Sequence, residues 1–178
     1  MDIQSLEIQG CFLIKPKVIK DTRGTFVKTY HLGIYNQHKL FFNFTEEYFS
    51  YSYKNVFRGL HFQLPPYDHT KIVYCINGEV IDYLVDLRKK SSTFLKTQSI
   101  PLNHLESHVV YIPSGVAHGF YTLSDNAIMI YKVSTVYSQQ HDAGILWSSI
   151  DIDIPDNNPI LSDRDSKFPP LKDFNNPF

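Results

Sequence analysis

The chain has 178 residues, 43% of them hydrophobic and 20% charged, with only 8 Gly and 10 Pro. At about 150 residues per domain this is one domain, residues 1–178, and collagen-like, low-complexity and wholly disordered chains are excluded. Lys and Arg number 17 against 18 Asp and Glu, a formal net charge of -1 that gives no general attraction for nucleic acid or an acidic membrane, so neither is an expected partner.

Aromatic residues reach 15%, a bias toward side chains that fit a half-buried pleated surface. Runs of strand length follow one another: Cys11 to Ile14, Thr25 to Tyr30, Tyr48 to Tyr53, Lys71 to Ile76, Glu79 to Leu87, His108 to Ile112 and Ala127 to Val136. Weak helical periodicity marks Gly33 to Leu40 and the surroundings of Asn103 to Glu106. Asn77-Gly78 lies between two β-rich runs and predicts a hairpin closed by a type I′ turn. Along its second arm Val80, Asp82, Leu84 and Asp86 share one face, which aims an acid at an enclosed interior. Breaks at Pro65-Pro66, Pro101, Pro113 to Gly115 and Pro155 to Pro159 fall at sandwich or barrel intervals. Asp151 to Phe178, rich in Asp, Asn and Pro, reads as an irregular tail on an all-β chain.

The start, MDIQSLEIQGCFLI, has no basic leader region, and no apolar run reaches the roughly 18 residues of a membrane span, so a soluble cytoplasmic protein is expected. Cys11 and Cys75 fit no zinc or CxxC pattern and read as buried thiols, not as a disulfide.

Two segments concentrate chemistry. Asn55 to Gln63 (NVFRGLHFQ) places Arg58 and His61 in one strand-like run, and Lys71 opens the next run after the Pro-Pro loop. Tyr111 to Phe120 is a strand, a Pro-Gly turn and a second strand carrying His118. Together they resemble the two halves of a cupin jelly roll, a double-stranded β-helix. Six histidines, His31, His38, His69, His104, His108 and His141, read as structural. His61, His118 and Glu79 would make a facial metal triad. Metal-binding cupins usually carry two histidines one residue apart where this chain has His-Phe-Gln, so metal is the minority reading.

The resemblance becomes specific over a series of stretches in order. They are Asp21-Thr22-Arg23-Gly24 with Phe26; Val56 to Gln63; Gly78-Glu79-Val80 with Asp82 and Val85 to Arg88; Ile112-Pro113 through Phe120; Tyr131-Lys132 with Tyr137; Gly144 to Trp147; and Leu161-Ser162 with Asp165. Over nearly its whole length the chain resembles the dTDP-4-dehydrorhamnose 3,5-epimerase family. The resemblance implies a cupin-type jelly roll with short helical segments, acting as a homodimer on a nucleotide-diphosphate 4-keto sugar for surface polysaccharide, without cofactor or metal.

Inverting a carbon beside a ketone needs a base and an acid on opposite faces and a group that holds the enolate oxygen. The resemblance assigns the base to His61, its orienting carboxylate to Asp165, the enolate-side cation to Lys71 and the proton donor to Tyr131. Taken alone, Tyr131 would pass for a core aromatic, Asp165 for a solvated turn residue and Lys71 for a surface lysine. Arg58 and Arg23 match arginines associated with the diphosphate and Phe26 an aromatic near the nucleotide. His118, Glu46 and Gln63 complete the expected substrate-binding set.

Three positions depart from the family where it reads thymidine: Lys28 replaces a common Glu, and Glu46 and Tyr48 replace Gln and Asn. A carboxylate at 46 can accept from the guanine edge, so a GDP-linked 4-keto-heptose stands beside the dTDP-linked 4-keto-6-deoxyhexose as expected substrate. Trp147-Ser148-Ser149 also lacks the family's Asn-Asp. Inversion of C3 alone or of C3 and C5 stays open, and a sugar 3,4-ketoisomerase, a metal-dependent cupin and a non-catalytic sugar-binding cupin are the competing functions.

Overall fold

The computed structural model describes residues 1–178. Its elements are β1 (Asp2–Ser5), β2 (Phe12–Lys15), β3 (Val18–Asp21), β4 (Gly24–Val27), α1 (Leu32–Gln37), β5 (Glu46–Tyr53), β6 (Phe57–Gln63), β7 (Lys71–Asn77), β8 (Glu79–Asp86), β9 (Thr97–Asn103), β10 (Val109–Ile112), β11 (Val116–Thr122), β12 (Asn126–Val133) and β13 (Asp142–Gly144). Two antiparallel sheets face each other, one in the order β1-β2-β10-β7-β12-β5 and the other β13-β6-β11-β8-β9, while β3 and β4 form a separate hairpin. No helix is long and apolar enough to cross a membrane.

Period-two alternation builds the layers. Val73 and Cys75 of β7, Met129 and Tyr131 of β12, and Val80, Leu84 and Phe120 of β8 and β11 meet between the sheets. The opposite faces are covered as well. Ile72, Tyr74 and Tyr111 pack under Tyr35, Leu40 and Phe42 from the α1 region. Tyr83, Val85 and Phe62 pack under the C-terminal segment, where Phe174 and Phe178 set their rings edge-on to Phe62 at 5.2 and 5.8 Å. Strands buried on both faces explain why the runs read as continuously apolar.

The tail is irregular as expected, broken by short 3-10 turns at Asp165–Lys167 and Leu171–Asp173. The α1 helix overlaps the first helical stretch but begins one residue earlier and ends three sooner; the second forms none, because the Asn103 side chain accepts from the N–H groups of Leu105 and Glu106 and holds a turn. Pro101 lies in β9, an edge strand, where its missing N–H costs no ladder bond.

The hairpin at Asn77-Gly78 does not form. β7 pairs with β10 and β12, and β8 with β9 and β11, so the two arms belong to different sheets. Gly78 alone takes a positive φ, +77°, and turns the corner between layers. Asn77 instead donates its amide to Oδ1 of Asn126 at 2.7 Å. The inward aim of Asp82 is realised, and the residue is fully buried.

Candidate active site

The β6 strand presents both Arg58 and His61 to one cavity, although an odd spacing would place them on opposite faces. A bulge resolves this. His61 pairs with His118 and Arg58 with Phe120, so Gly59 and Leu60 together oppose Gly119. Gly59 takes φ +141°, and a Cβ there would stand 2.6 Å from the Gly119 Cα. The bulge also turns the Gly59 N–H outward to donate to Oδ2 of Asp165 at 3.1 Å.

Asp165 arrives from the C-terminal tail. Its Oδ1 lies 2.9 Å from Nε2 of His61, and its own N–H donates to Oγ of Ser162 at 3.1 Å. Burial pulls the Asp165 carboxyl up, but the His61 hydrogen bond and charge and the Gly59 N–H outweigh it and hold the group below the usual carboxylate range. Burial pulls the His61 imidazole below its ordinary value, more than Asp165 restores, with Lys71 and Arg164 adding to the lowering. A neutral imidazole that donates from Nε2 to a carboxylate carries its lone pair on Nδ1. Phe168 packs edge-on against the ring at 5.6 Å, in space left open by Gly144, the β13 partner of His61.

Lys71 is buried at the start of β7, and its Nζ donates to the His61 carbonyl at 3.1 Å. Burial lowers its ammonium to about 8. Tyr131 lies across the cavity on β12, its hydroxyl 3.1 Å from Oγ of Ser50 and its ring stacked on Tyr48 at 4.8 Å and 15°. Burial raises the Tyr131 phenol, so it stays protonated. Beside His61, His118 pairs through Nε2 with Oδ1 of Asp82 at 2.6 Å, both side chains buried.

These groups line a cavity of about 380 Å³, within the range of small-ligand sites. Arg58 reaches Ser52 at 2.9 Å and the Tyr51 carbonyl at 3.1 Å, leaving guanidinium hydrogens toward the cavity. Gln63 lines the wall, but Ser138 N–H and the Tyr67 carbonyl occupy its amide at 2.6 and 2.8 Å. Glu46 accepts from Tyr137 N–H at 3.0 Å. Arg23 and Phe26 are not in this cavity. They lie on the β3–β4 hairpin, Arg23 paired with Asp21 at 2.6 Å and Phe26 61% exposed.

The cavity adds Ser50, Asp142 and Arg164, which the sequence reading did not single out, the last two paired at 2.8 Å, and it is also lined by His69, which that reading took as structural. Arg164 was legible in principle as the neighbour of Asp165; Ser50 and Asp142 carry no local signal. The metal triad does not assemble, because Glu79 is exposed where β8 begins and His61 and His118 each turn Nε2 to a separate carboxylate. No group of three His, Cys, Asp or Glu gathers around a common point.

Residues 5–173 match the family model described as dTDP-4-dehydrorhamnose 3,5-epimerase. A dTDP-4-dehydrorhamnose 3,5-epimerase of Shigella flexneri is 41% identical over 170 residues, 93% of each chain. The Bacillus anthracis enzyme of that name, solved with TDP and PPi bound, superposes with a TM-score of 0.92 at 35% identity, covering 96% of this chain and 99% of that one. A Legionella pneumophila dTDP-6-deoxy-D-glucose-3,5-epimerase in complex with dTDP-4-keto-L-rhamnose gives 0.91 at 32%, covering 96% and 93%. These relatives carry the cupin-type fold, and their names support a dTDP-linked keto sugar. They lend no support to the GDP-heptose, ketoisomerase or metal-cupin readings. The chain is an isomerase and belongs to the dTDP-4-dehydrorhamnose 3,5-epimerase family.

Proposed function

We propose that the protein inverts C3 and C5 of a dTDP-linked 4-keto-6-deoxyhexose through an enolate. The observation that carries this is a neutral His61 backed by Asp165 and a protonated Tyr131, lining one cavity with Lys71 beside the histidine. His61 Nδ1 takes the C–H proton next to the C4 ketone, and its imidazolium is held by Asp165. Electron density moves onto the ketone oxygen, where the Lys71 ammonium stabilises it. Tyr131 then returns a proton to the carbon from the opposite face, and proton exchange through solvent resets both groups. Arg58 and Arg164 supply the fork geometry that suits a diphosphate.

A homodimer belongs to this reading. Arg23 and Phe26 stand outside their own chain's cavity, and the edge strand β5 exposes Phe49, Tyr51 and Tyr53. A second copy covering that edge would remove an aromatic patch from water and bring a β3–β4 hairpin to the cavity mouth. The functional test is proton NMR of the product from dTDP-4-keto-6-deoxyglucose, whose ring couplings change when C3 and C5 invert. Inverted product supports the proposal; unreacted substrate with folded protein refutes it.

A further inference from the structure

β5 carries Tyr48, Ser50 and Ser52 on one face, and each meets a group of the cavity. Tyr48 stacks on the Tyr131 ring at 4.8 Å, Ser50 Oγ lies 3.1 Å from the Tyr131 hydroxyl, and Ser52 Oγ accepts from Nε of Arg58 at 2.9 Å. The ladder with β12 sets this up. Tyr131 pairs with Tyr48 and Met129 with Ser50, so the Tyr131 hydroxyl reaches one inward position along β5 to find Ser50. That contact is the hydroxyl's one hydrogen bond to the protein, and Ser50 Oγ makes no other. Ser50 is half-buried and itself lines the cavity.

Giving up a proton leaves Tyr131 with a charge that its surroundings resist. Burial raises the phenol most; the Ser50 hydrogen bond opposes it, the Tyr48 and Asp82 side chains add to the rise, and the Arg58 cation lowers it. Arg58 acts through its charge, its guanidinium being bound to Ser52 and the Tyr51 carbonyl. Ser50 alone touches the oxygen. When the Tyr131 O–H bond breaks, its proton forms the new C–H bond of the sugar and its electron pair stays on the phenol oxygen. That oxygen then carries no hydrogen, so its bond with Ser50 runs in one direction only, with the Ser50 O–H donating. A hydrogen bond to an ionised acceptor is roughly twice as strong as one between neutral groups, so the contact strengthens as the proton leaves. Solvent afterwards returns a proton to the phenolate.

We infer that Ser50 is a positioning residue for the proton donor: its hydroxyl holds the Tyr131 oxygen in place and donates to the phenolate formed as the sugar carbon is protonated. This rests on the reading of Tyr131 as the acid given above.

The test compares wild type, Ser50→Ala, Ser50→Thr, Tyr131→Phe and the Ser50→Ala/Tyr131→Phe double variant on dTDP-4-keto-6-deoxyglucose in D2O. NMR reads exchange and inversion separately, and each protein's melting temperature is recorded. Ser50→Ala is expected to lower inversion about tenfold to hundredfold, with exchange on the His61 face within about threefold of wild type. Ser50→Thr keeps the hydroxyl and should restore inversion to within about threefold. In the Tyr131→Phe background no phenolate forms, so Ser50→Ala should cost no further inversion. Should Ser50→Ala fail to fold, Ser50→Cys puts a weak donor in its place and should likewise lower inversion more than exchange. Undiminished inversion in Ser50→Ala, or an equal loss from that change with and without the Tyr131 hydroxyl, overturns the assignment and leaves Ser50 a packing residue. Wild-type inversion by Tyr131→Phe overturns the reading of Tyr131 and this assignment together, whereas a steep loss there beside none in Ser50→Ala overturns this assignment alone.

Discussion

Nε2 of His61 lies 2.9 Å from Oδ1 of Asp165 although 104 positions separate the two residues. The tail thus forms part of the cavity's surroundings, with Gly59 N–H donating to the carboxylate beside the imidazole and Ser162 Oγ accepting from the Asp165 backbone N–H. His61→Asn is expected to lower turnover by roughly a hundredfold to ten-thousandfold while the melting temperature stays near wild type. Asp165→Asn keeps the shape but loses the charge that stabilises the imidazolium, and should cost at least about a hundredfold. Steady-state kinetics beside thermal denaturation checks both.

The pH profile follows from the same groups. In the proposed mechanism His61 works unprotonated, and burial lowers its imidazole below the ordinary 6.5. Activity should therefore fall on the acid side only as pH drops through a value under 6.5. In the same mechanism Lys71 works protonated, and burial lowers it to about 8, so activity should also fall as pH rises through about 8. The kcat/KM profile of the free enzyme is expected to be a bell between these limits. Lys71→Met should lower the plateau and remove the alkaline limb; an alkaline limb unchanged in that variant would assign it elsewhere.

Tyr131 and His61 should separate in a labelling experiment. Tyr131→Phe leaves the base intact, so deuterium enters from D2O on the His61 face while inverted product falls steeply. Tyr48 stacks on Tyr131 at 4.8 Å, and aromatic pairs contribute about 0.5–1.5 kcal/mol beyond their buried area. Tyr48→Ala should loosen the ring and reduce inversion more than exchange, and Tyr48→Phe should restore both. NMR of the recovered sugar nucleotide reads exchange and inversion in one spectrum.

Much of this was legible in the sequence, for physical reasons that differ from residue to residue. Asp82 was placed inward because alternation along a strand is a local property. The all-β class followed from run lengths and aromatic content. Asp165 carried no local sign of its role, since a Ser-Asp-Arg-Asp turn looks solvated until the tail is folded back onto β6; family resemblance supplied it. The Asn77-Gly78 hairpin misled because turn chemistry reports that a chain reverses, not which strands it then pairs. Gly78 bends the chain from one sheet into the other, and pairing energy with β9, β10, β11 and β12 decides the partners. The shared orientation of Arg58 and His61 was equally hidden, because it depends on a bulge that only the register with β11 defines.

Gly59→Ala tests that bulge. The added methyl would meet the Gly119 backbone at 2.6 Å in a conformation that L side chains rarely adopt. Strain of this kind costs about 1–3 kcal/mol, and the displaced N–H would also release Asp165. Urea denaturation should show the loss of stability, with activity falling further than the unfolded fraction accounts for.

Complementation between variants tests the shared site. Arg23→Ala and His61→Asn chains are each expected to be weakly active alone. If one chain's Arg23 serves the other chain's cavity, mixing them after reversible dissociation yields heterodimers with one intact site, and activity should rise toward a quarter of wild type for random pairing (an estimate that follows from dimer statistics). Sedimentation should show a dimer throughout. No recovery in a mixture shown to have exchanged would place Arg23 outside the partner's cavity.

The central claim is enolisation of a dTDP-linked 4-keto sugar by His61. It is tested most directly by proton NMR in D2O of dTDP-4-keto-6-deoxyglucose with wild-type protein and with His61→Asn, added at equal concentration. The account predicts loss of the C3 and C5 proton signals with wild type and, with the variant, a rate lower by at least about a hundredfold. Undiminished exchange in His61→Asn, or retention of both signals with folded wild-type protein, would contradict it.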